Sequence, residues 1–299
     1  MHISLIIPAY NEEKAIAKVV EEAVDYVDEI IIIDDGSKDR TFETAKELWY
    51  HFKNIKLIKN KVNLGKVQSL RNGVKESSGD IIVFTDADFT YPAKHITEIV
   101  REIKNGADLA IGNRFAGVVK NIPFLNRIGN RIFSLLITYI TSVPIEDGQT
   151  GLRAFLKKNF EKLDVPAKGL EYETKMTVKA AKLGYTIVEV PIEYRTRIGM
   201  SKLRPFQDGW RMFMSLLSIA YYETSLLARM ILMPSFVLFL IGGLLGLISV
   251  GEYVQSNNLY HPYYPLLATL LLILATQLLS VGLILDNVYK KISMIARKL

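Results

Sequence analysis

Hydrophobic positions in the first 115 residues cluster in short strand-like segments: Ile3–Pro8, Glu29–Ile33, Ile55–Ile58, Ile81–Thr85 and Asp108–Gly112. Ile81–Thr85, β-branched or aromatic and without polar alternation, predicts a strand buried on both faces of a parallel sheet. Between these segments the spacing turns helical. Val19, Val20, Ala23 and Val27 share one helix face, a second helix begins near Arg40 with Asp39 as its N-cap, a third runs from Asn63-Leu64-Gly65-Lys66 through Val74, and a fourth from Pro92 to Asn105. Repeated β-α units of this kind predict an α/β fold, a Rossmann-like, mostly parallel sheet with right-handed crossovers.

Further along, the pattern changes twice. Pro123–Val143 places Arg127 and Arg131 four apart, on one face, among Ile132, Phe133, Leu135, Leu136, Ile137, Tyr139 and Ile140. Pro205–Tyr222 is a second amphipathic stretch, with Trp210, Arg211, Met212, Phe213, Leu216, Tyr221 and Tyr222. Both read as helices lying on an anionic membrane surface. Then 231–250 and 266–285 run without a charge, each long enough to cross a hydrocarbon core. Pro234 and the Gly242-Gly243 pair are tolerated in such spans.

These segments divide the chain into a catalytic part at 1–204, an interfacial helix at 205–228 and a two-span membrane region at 229–299. Arg211 and Arg229 precede the spans, Lys290, Lys291, Arg297 and Lys298 follow them, and the loop between carries only Glu252 as a formal charge. The positive-inside rule predicts a hairpin with both ends, and the first 225 or so residues, in the cytoplasm. No signal peptide is expected, because strand-like sequence begins at Ile3. The small residues Gly242, Gly243 and Gly246 suggest self-association into a homo-oligomer through the spans.

A net charge of +6 with 49% hydrophobic residues suits a membrane-bound chain, and nothing in it calls for a nucleic-acid partner. Cysteine is absent, which excludes disulfides, thiolate catalysis and Cys-ligated zinc. Neither Gly-x-Gly-x-x-Gly after the first strand nor a Walker loop is present. Instead the strand ends are acidic, at Glu12, at Asp34 with Asp35, and at Asp86 with Asp88. Ligands of an open α/β sheet bind at the carboxyl ends of its strands. Carboxylates there suit base and ribose hydroxyls, and two of them one residue apart suit a hard cation, Mg²⁺ or Mn²⁺. The pattern points to a nucleoside diphosphate handled through a metal.

Ile6-Ile7-Pro8-Ala9-Tyr10-Asn11-Glu12, Ile33-Asp34-Asp35-Gly36-Ser37, Asp39-Arg40-Thr41, Asn63-Leu64-Gly65-Lys66, Gly79-Asp80 and Asp86-Ala87-Asp88 resemble the successive motifs of the inverting family-2 glycosyltransferases with a GT-A fold. Gly112-Asn113-Arg114-Phe115, Gln149-Thr150-Gly151-Leu152-Arg153-Ala154-Phe155 and Arg197-Ile198-Gly199-Met200-Ser201-Lys202 are similar to the polyprenyl-phosphate branch, the dolichyl-phosphate mannose and glucose synthases.

That resemblance implies transfer of mannose or glucose from GDP-mannose or UDP-glucose to the phosphate of a polyprenyl lipid such as dolichyl phosphate, with inversion. It implies that Pro8, Tyr10, Glu12, Ile33 and Asp35 hold the base and ribose, and that Asp86 and Asp88 hold the metal, with Asp88 catalytic. Thr90, the third candidate metal ligand, stands where the mannose synthases carry a Gln ligand, and Gln-Thr-Gly leans toward the glucose-transferring members. A phosphate monoester acceptor is largely dianionic at neutral pH and already nucleophilic, so it needs cations to position it more than a base to activate it. Arg114, Arg127 and Arg131 are the candidates, with Asn130 beside them, and Arg114 is also the second catalytic candidate. Arg197 and Lys202 would bring positive charge to the diphosphate from a mobile lid.

A processive polysaccharide synthase would require Gln-x-x-Arg-Trp and many spans, and a nucleotidyltransferase a Gly-rich loop after Pro8; the chain has neither. The alternatives left open are a different membrane acceptor and a catalytically inactive membrane scaffold.

Overall fold

The computed structural model describes residues 1–116, 124–167, 169, 171–199 and 205–296. Two compact units are present, Met1–Leu216 and Leu217–Leu299.

In the first unit, β1 (Ile3–Ala9), α1 (Ile16–Ala23), β2 (Glu29–Asp34), α2 (Thr41–His51), β3 (Ile55–Lys59), α3 (Lys66–Glu76), β4 (Ile81–Phe84), α4 (Lys94–Lys104) and β5 (Leu109–Asn113) follow the predicted alternation. Next come α5 (Phe124–Thr141), β6 (Arg153–Leu156), a short α6 (Phe160–Leu163), α7 (Glu171–Lys182) and β7 (Ile187–Pro191), and α8 (Pro205–Glu223) begins in this unit and ends in the second. The sheet order is β3-β2-β1-β4-β6-β5-β7. All neighbours are parallel except β6, which runs antiparallel between β4 and β5. The first helical residue of α2 is Thr41, and Asp39 accepts its N–H at 3.0 Å from two residues upstream.

Alternate strand residues feed two cores. Leu5, Ile7, Ile30, Ile32, Ile81 and Val83 pack against α1 and α4, and Ile6, Ile31, Ile33, Ile82 and Phe84 against α3 and α7. Burial on both faces explains why Leu5–Ile7, Ile30–Ile33 and Ile81–Phe84 are apolar at every position.

In the second unit, α9 (Leu226–Ser256) and α10 (Tyr264–Ala296) are each long and apolar enough to cross a membrane. They form a hairpin. A Cβ on Gly242 would stand 3.2 Å from the Ala268 carbonyl, and one on Gly282 would stand 2.7 Å from Leu232 Cδ2. Ser235 Oγ donates to the Ala275 carbonyl at 2.8 Å. Gly242, and Gly246 facing Ala268, are thus occupied by contact inside the hairpin, which accounts for them without a second copy of the chain; Gly243 has open space around it. Asp286 is fully buried, accepting the Ser225 N–H at 3.0 Å and pairing with Lys290 at 2.7 Å.

Candidate active site

Parallel register carries the ends of β1, β2 and β4 to one edge, where Tyr10–Glu12, Asp35 and Asp86–Asp88 leave the sheet. Asp35 is committed to the loop before α3. Its carboxylate accepts the N–H groups of Leu64 (2.9 Å) and Gly65 (2.8 Å) and the Asn60 amide (2.8 Å). A carboxylate at a helix N-terminus is favoured by the exposed N–H groups. Gly65, at φ +89°, takes a backbone conformation that side chains avoid. Pro8 and Ile33 are register partners, Pro8 half-buried and Ile33 fully buried against the α3 core, while Tyr10 is half-buried at the mouth.

Just past β4, the two carboxylates have different partners. Asp88 Oδ1 accepts both the N–H (3.1 Å) and the hydroxyl (2.6 Å) of Thr90, in a turn where Phe89 has φ +68°. Asp88 Oδ2 faces Arg197 Nη1 at 3.3 Å, and the same guanidinium pairs through Nη2 with Glu12. Burial, together with the charge of Asp86, pushes the Asp88 carboxyl up despite Thr90 and Arg197. Thr90 therefore orients Asp88, its hydroxyl proton already used. Asp86 Oδ1 pairs with Lys66 Nζ at 2.6 Å, and Lys66 is also held by Glu173 of α7 at 2.7 Å. Burial would pull the Lys66 ammonium down, but the two carboxylates more than offset it and keep it charged.

The antiparallel β6 supplies the floor. Because Arg153 lies opposite Phe84, the residues entering β6 arrive beside those leaving β4. Arg153 is fully buried and donates to the Thr150 carbonyl through Nε (3.2 Å) and Nη2 (2.6 Å), and to the Glu173 carbonyl through Nη1 (2.9 Å). Tyr91 Oη accepts the Gly151 N–H at 2.9 Å. The Gln149–Phe155 motif is thus the backing of Asp86.

Arg114, at the end of β5, is buried and forms a fork with Asp147, Nε to Oδ2 at 2.7 Å and Nη2 to Oδ1 at 2.8 Å, beneath the Tyr194 ring. Burial opposes its charge, and Asp147 outweighs burial. Nη1 is the guanidinium nitrogen outside that fork. Arg127 and Arg131 are exposed on α5, with Asn130 half-buried and Ile128, Ile132 and Leu135 exposed beside them. Lys202 lies outside the described residues.

Among the described residues no three His, Cys, Asp or Glu side chains form a metal cluster. Two carboxylates at a strand end still fit a hard cation whose other ligands are phosphate and water. Sequence reasoning missed Glu173, Asp147 and the role of Arg153, each carried to the site by an element far away in the chain. Lys66 had a visible signal, a cation at a Gly-preceded helix start.

The family model described as glycosyl transferase family 2 matches residues 4–164. A dolichyl-phosphate hexose transferase of Haloferax volcanii is 30% identical over 74% of this chain and 95% of its own. The UDP-N-acetylglucosamine–dolichyl-phosphate N-acetylglucosaminyltransferase of Methanococcus voltae is 33% identical over 73% and 95%. For the dolichol-phosphate mannosyltransferase of Pyrococcus furiosus the figures are 32%, 68% and 60%. Among solved structures, glucosyl-3-phosphoglycerate synthase from Mycobacterium tuberculosis, bound to Mn²⁺, UDP and glucosyl-3-phosphoglycerate, superposes with a TM-score of 0.59 at 21% identity, over 73% of this chain and 80% of that one. That likeness bears on the fold, which is of the GT-A type.

Proposed function

This chain belongs to glycosyl transferase family 2 and is a glycosyltransferase, and from that premise we propose that it moves a hexose from a nucleotide sugar to the phosphate of a polyprenyl lipid, with inversion. The observation that carries the proposal is the pairing of Asp86 and Asp88 with Lys66 and Arg197 at the strand-end edge, on a chain that also bears two membrane-length helices.

In this reading Asp86 and Asp88 would hold a divalent cation, which would supply positive charge to the departing nucleoside diphosphate. Asp35, through the Leu64-Gly65 turn, shapes the wall that receives the base and ribose, together with Pro8, Tyr10, Glu12 and Ile33. Thr90 fixes the rotamer of Asp88, and Gly151 leaves room for Asp86. Arg197 and Lys202 bring positive charge to the diphosphate as the anomeric bond breaks. The lipid phosphate attacks from the opposite face without a general base, positioned by Arg114 Nη1 and by Arg127, Asn130 and Arg131. The exposed apolar residues of α5, and Trp210, Met214, Tyr221 and Tyr222 of α8, seat the enzyme on the bilayer where the acceptor head group lies. The amino-terminal unit faces the cytoplasm.

Purified full-length protein is tested with Mn²⁺, dolichyl phosphate and radiolabelled UDP-glucose, GDP-mannose or UDP-N-acetylglucosamine. Label enters the organic phase with one donor and stays aqueous with Asp88→Ala. Binding of nucleotide with no labelled lipid from any donor would refute the acceptor assignment.

A further inference from the structure

Both metal-site carboxylates already hold cations belonging to the chain. Asp88 Oδ1 is filled by two hydrogen bonds from Thr90, so Oδ2 is its available ligand oxygen, and that oxygen faces Arg197. Resting on the assignment of Asp86 and Asp88 to a divalent cation, we propose that Arg197 is a latch. It occupies Asp88 while the site is metal-free, and leaves for the donor diphosphate when the cation binds.

Three features of the geometry support this. The backbone around Arg197 is pinned along the Asp-Ala-Asp turn, so the side chain alone needs to move. Arg195 N–H donates to the Thr90 carbonyl (2.9 Å) and Ile198 N–H to the Asp88 carbonyl (3.1 Å). Arg195 forms a fork with Glu22 (2.6 and 2.9 Å) and lies over the Phe89 ring, and His95 Nε2 accepts the Glu193 N–H at 3.0 Å. Next, Arg197 grips Glu12 and Asp88 through different nitrogens, so it can release Asp88 and pivot on Glu12. Finally, the latched state is incompletely satisfied. Arg197 Nε is buried with no acceptor among the described residues, and a phosphate oxygen would supply one.

Lys66 does not play this part. It is clamped between Asp86 and Glu173 at 2.6 and 2.7 Å, whereas the Arg197 contact to Asp88 is longer, at 3.3 Å. Lys66 stays on Asp86, and Arg197 is the cation exchanged. The consequence is reciprocal coupling: metal binding frees a cation for the diphosphate, and the diphosphate draws that cation off Asp88.

The test is Mn²⁺ titration of the full-length protein, followed by the paramagnetic resonance of free Mn²⁺, first without nucleotide and then with saturating UDP or GDP. Asp86→Asn and Asp88→Asn are expected to abolish binding. R197Q is expected to bind Mn²⁺ about tenfold more tightly than wild type without nucleotide, and to lose most of the tightening that nucleotide gives wild type. R197K, which keeps the charge but cannot span Glu12 and Asp88 with a fork, is expected to fall between them. That variant separates a latch from simple charge repulsion, and it serves if R197Q does not fold. If R197Q and R197K leave nucleotide-free affinity and coupling at wild-type levels while Asp88→Asn abolishes binding, the latch is overturned. Undiminished Mn²⁺ binding in both aspartate variants would overturn the metal assignment instead.

Discussion

A Cβ placed on Gly151 would stand 2.5 Å from Asp86 Oδ2, closer than any real contact allows. The atom in the way is the end of a side chain, so the fold can yield by turning Asp86, and the site bears the cost. Gly151→Ala is expected to leave the melting temperature within a few degrees of wild type while lowering Mn²⁺ affinity and transfer at least about tenfold. Calorimetric Mn²⁺ binding and the lipid-labelling assay read the two effects separately.

Lys66 stabilises as well as positions. Lys66→Met removes the partner of both Asp86 and Glu173, leaving two carboxylates, one of them buried, without their counter-ion. Unfolding measured in detergent is expected to show a loss of about 3 kcal/mol, partly restored in the Lys66→Met/Glu173→Gln double variant because one unpaired charge is gone. An additive double variant would show that the pair is uncoupled.

Acid weakens the sheet at a definite residue. Glu29 accepts from Ser4 and from the Ser78 N–H (2.9 Å), and pairs with Lys56 at 2.6 Å. Burial raises its pKa, but Lys56, Ser4 and Ser78 together hold it down at about 2, from 4.5. The folded value lies below the unfolded one, so this stabilisation is complete above pH 4.5 and drains away as pH falls toward 2. Glu29→Gln is expected to cost on the order of 2 kcal/mol at pH 6 and to flatten the pH dependence of thermal melts between pH 4.5 and 3.

In the hairpin, Gly282→Val drives a branched side chain into Leu232, where even a Cβ meets Cδ2 at 2.7 Å. Helix packing in lipid depends on such close approach. Thermal melts in detergent are expected to fall by several degrees, whereas Gly243→Val, at a position with open space, leaves them unchanged.

The absence of native cysteine permits a clean topology test. Single cysteines at Lys158 and at Asn258 are expected to differ in whole cells, with only Asn258→Cys labelled by a membrane-impermeant maleimide. Labelling of Lys158→Cys alone would invert the proposed orientation.

Much of this protein was legible in its sequence. Strands buried on both faces need apolar residues at every position, so Ile30–Ile33 and Ile81–Phe84 announced themselves, and with them the acidic residues at their ends. Uncharged runs the thickness of a bilayer announced the hairpin. The order of motifs marked the family, because each sits in a local turn whose chemistry is written in adjacent residues.

The tertiary structure alone decided which groups meet. Nothing local foretells that β6 runs antiparallel, yet that reversal sets Gly151 against Asp86 and Arg153 opposite Phe84. Glu173 reaches Lys66 from over a hundred residues away, Arg197 reaches Glu12 from still farther, and Asp147 turns Arg114 inward. Periodicity reports whether a residue faces the core, a property of its own helix or strand. The partner of a buried charge is set by where the chain returns, and only packing determines that.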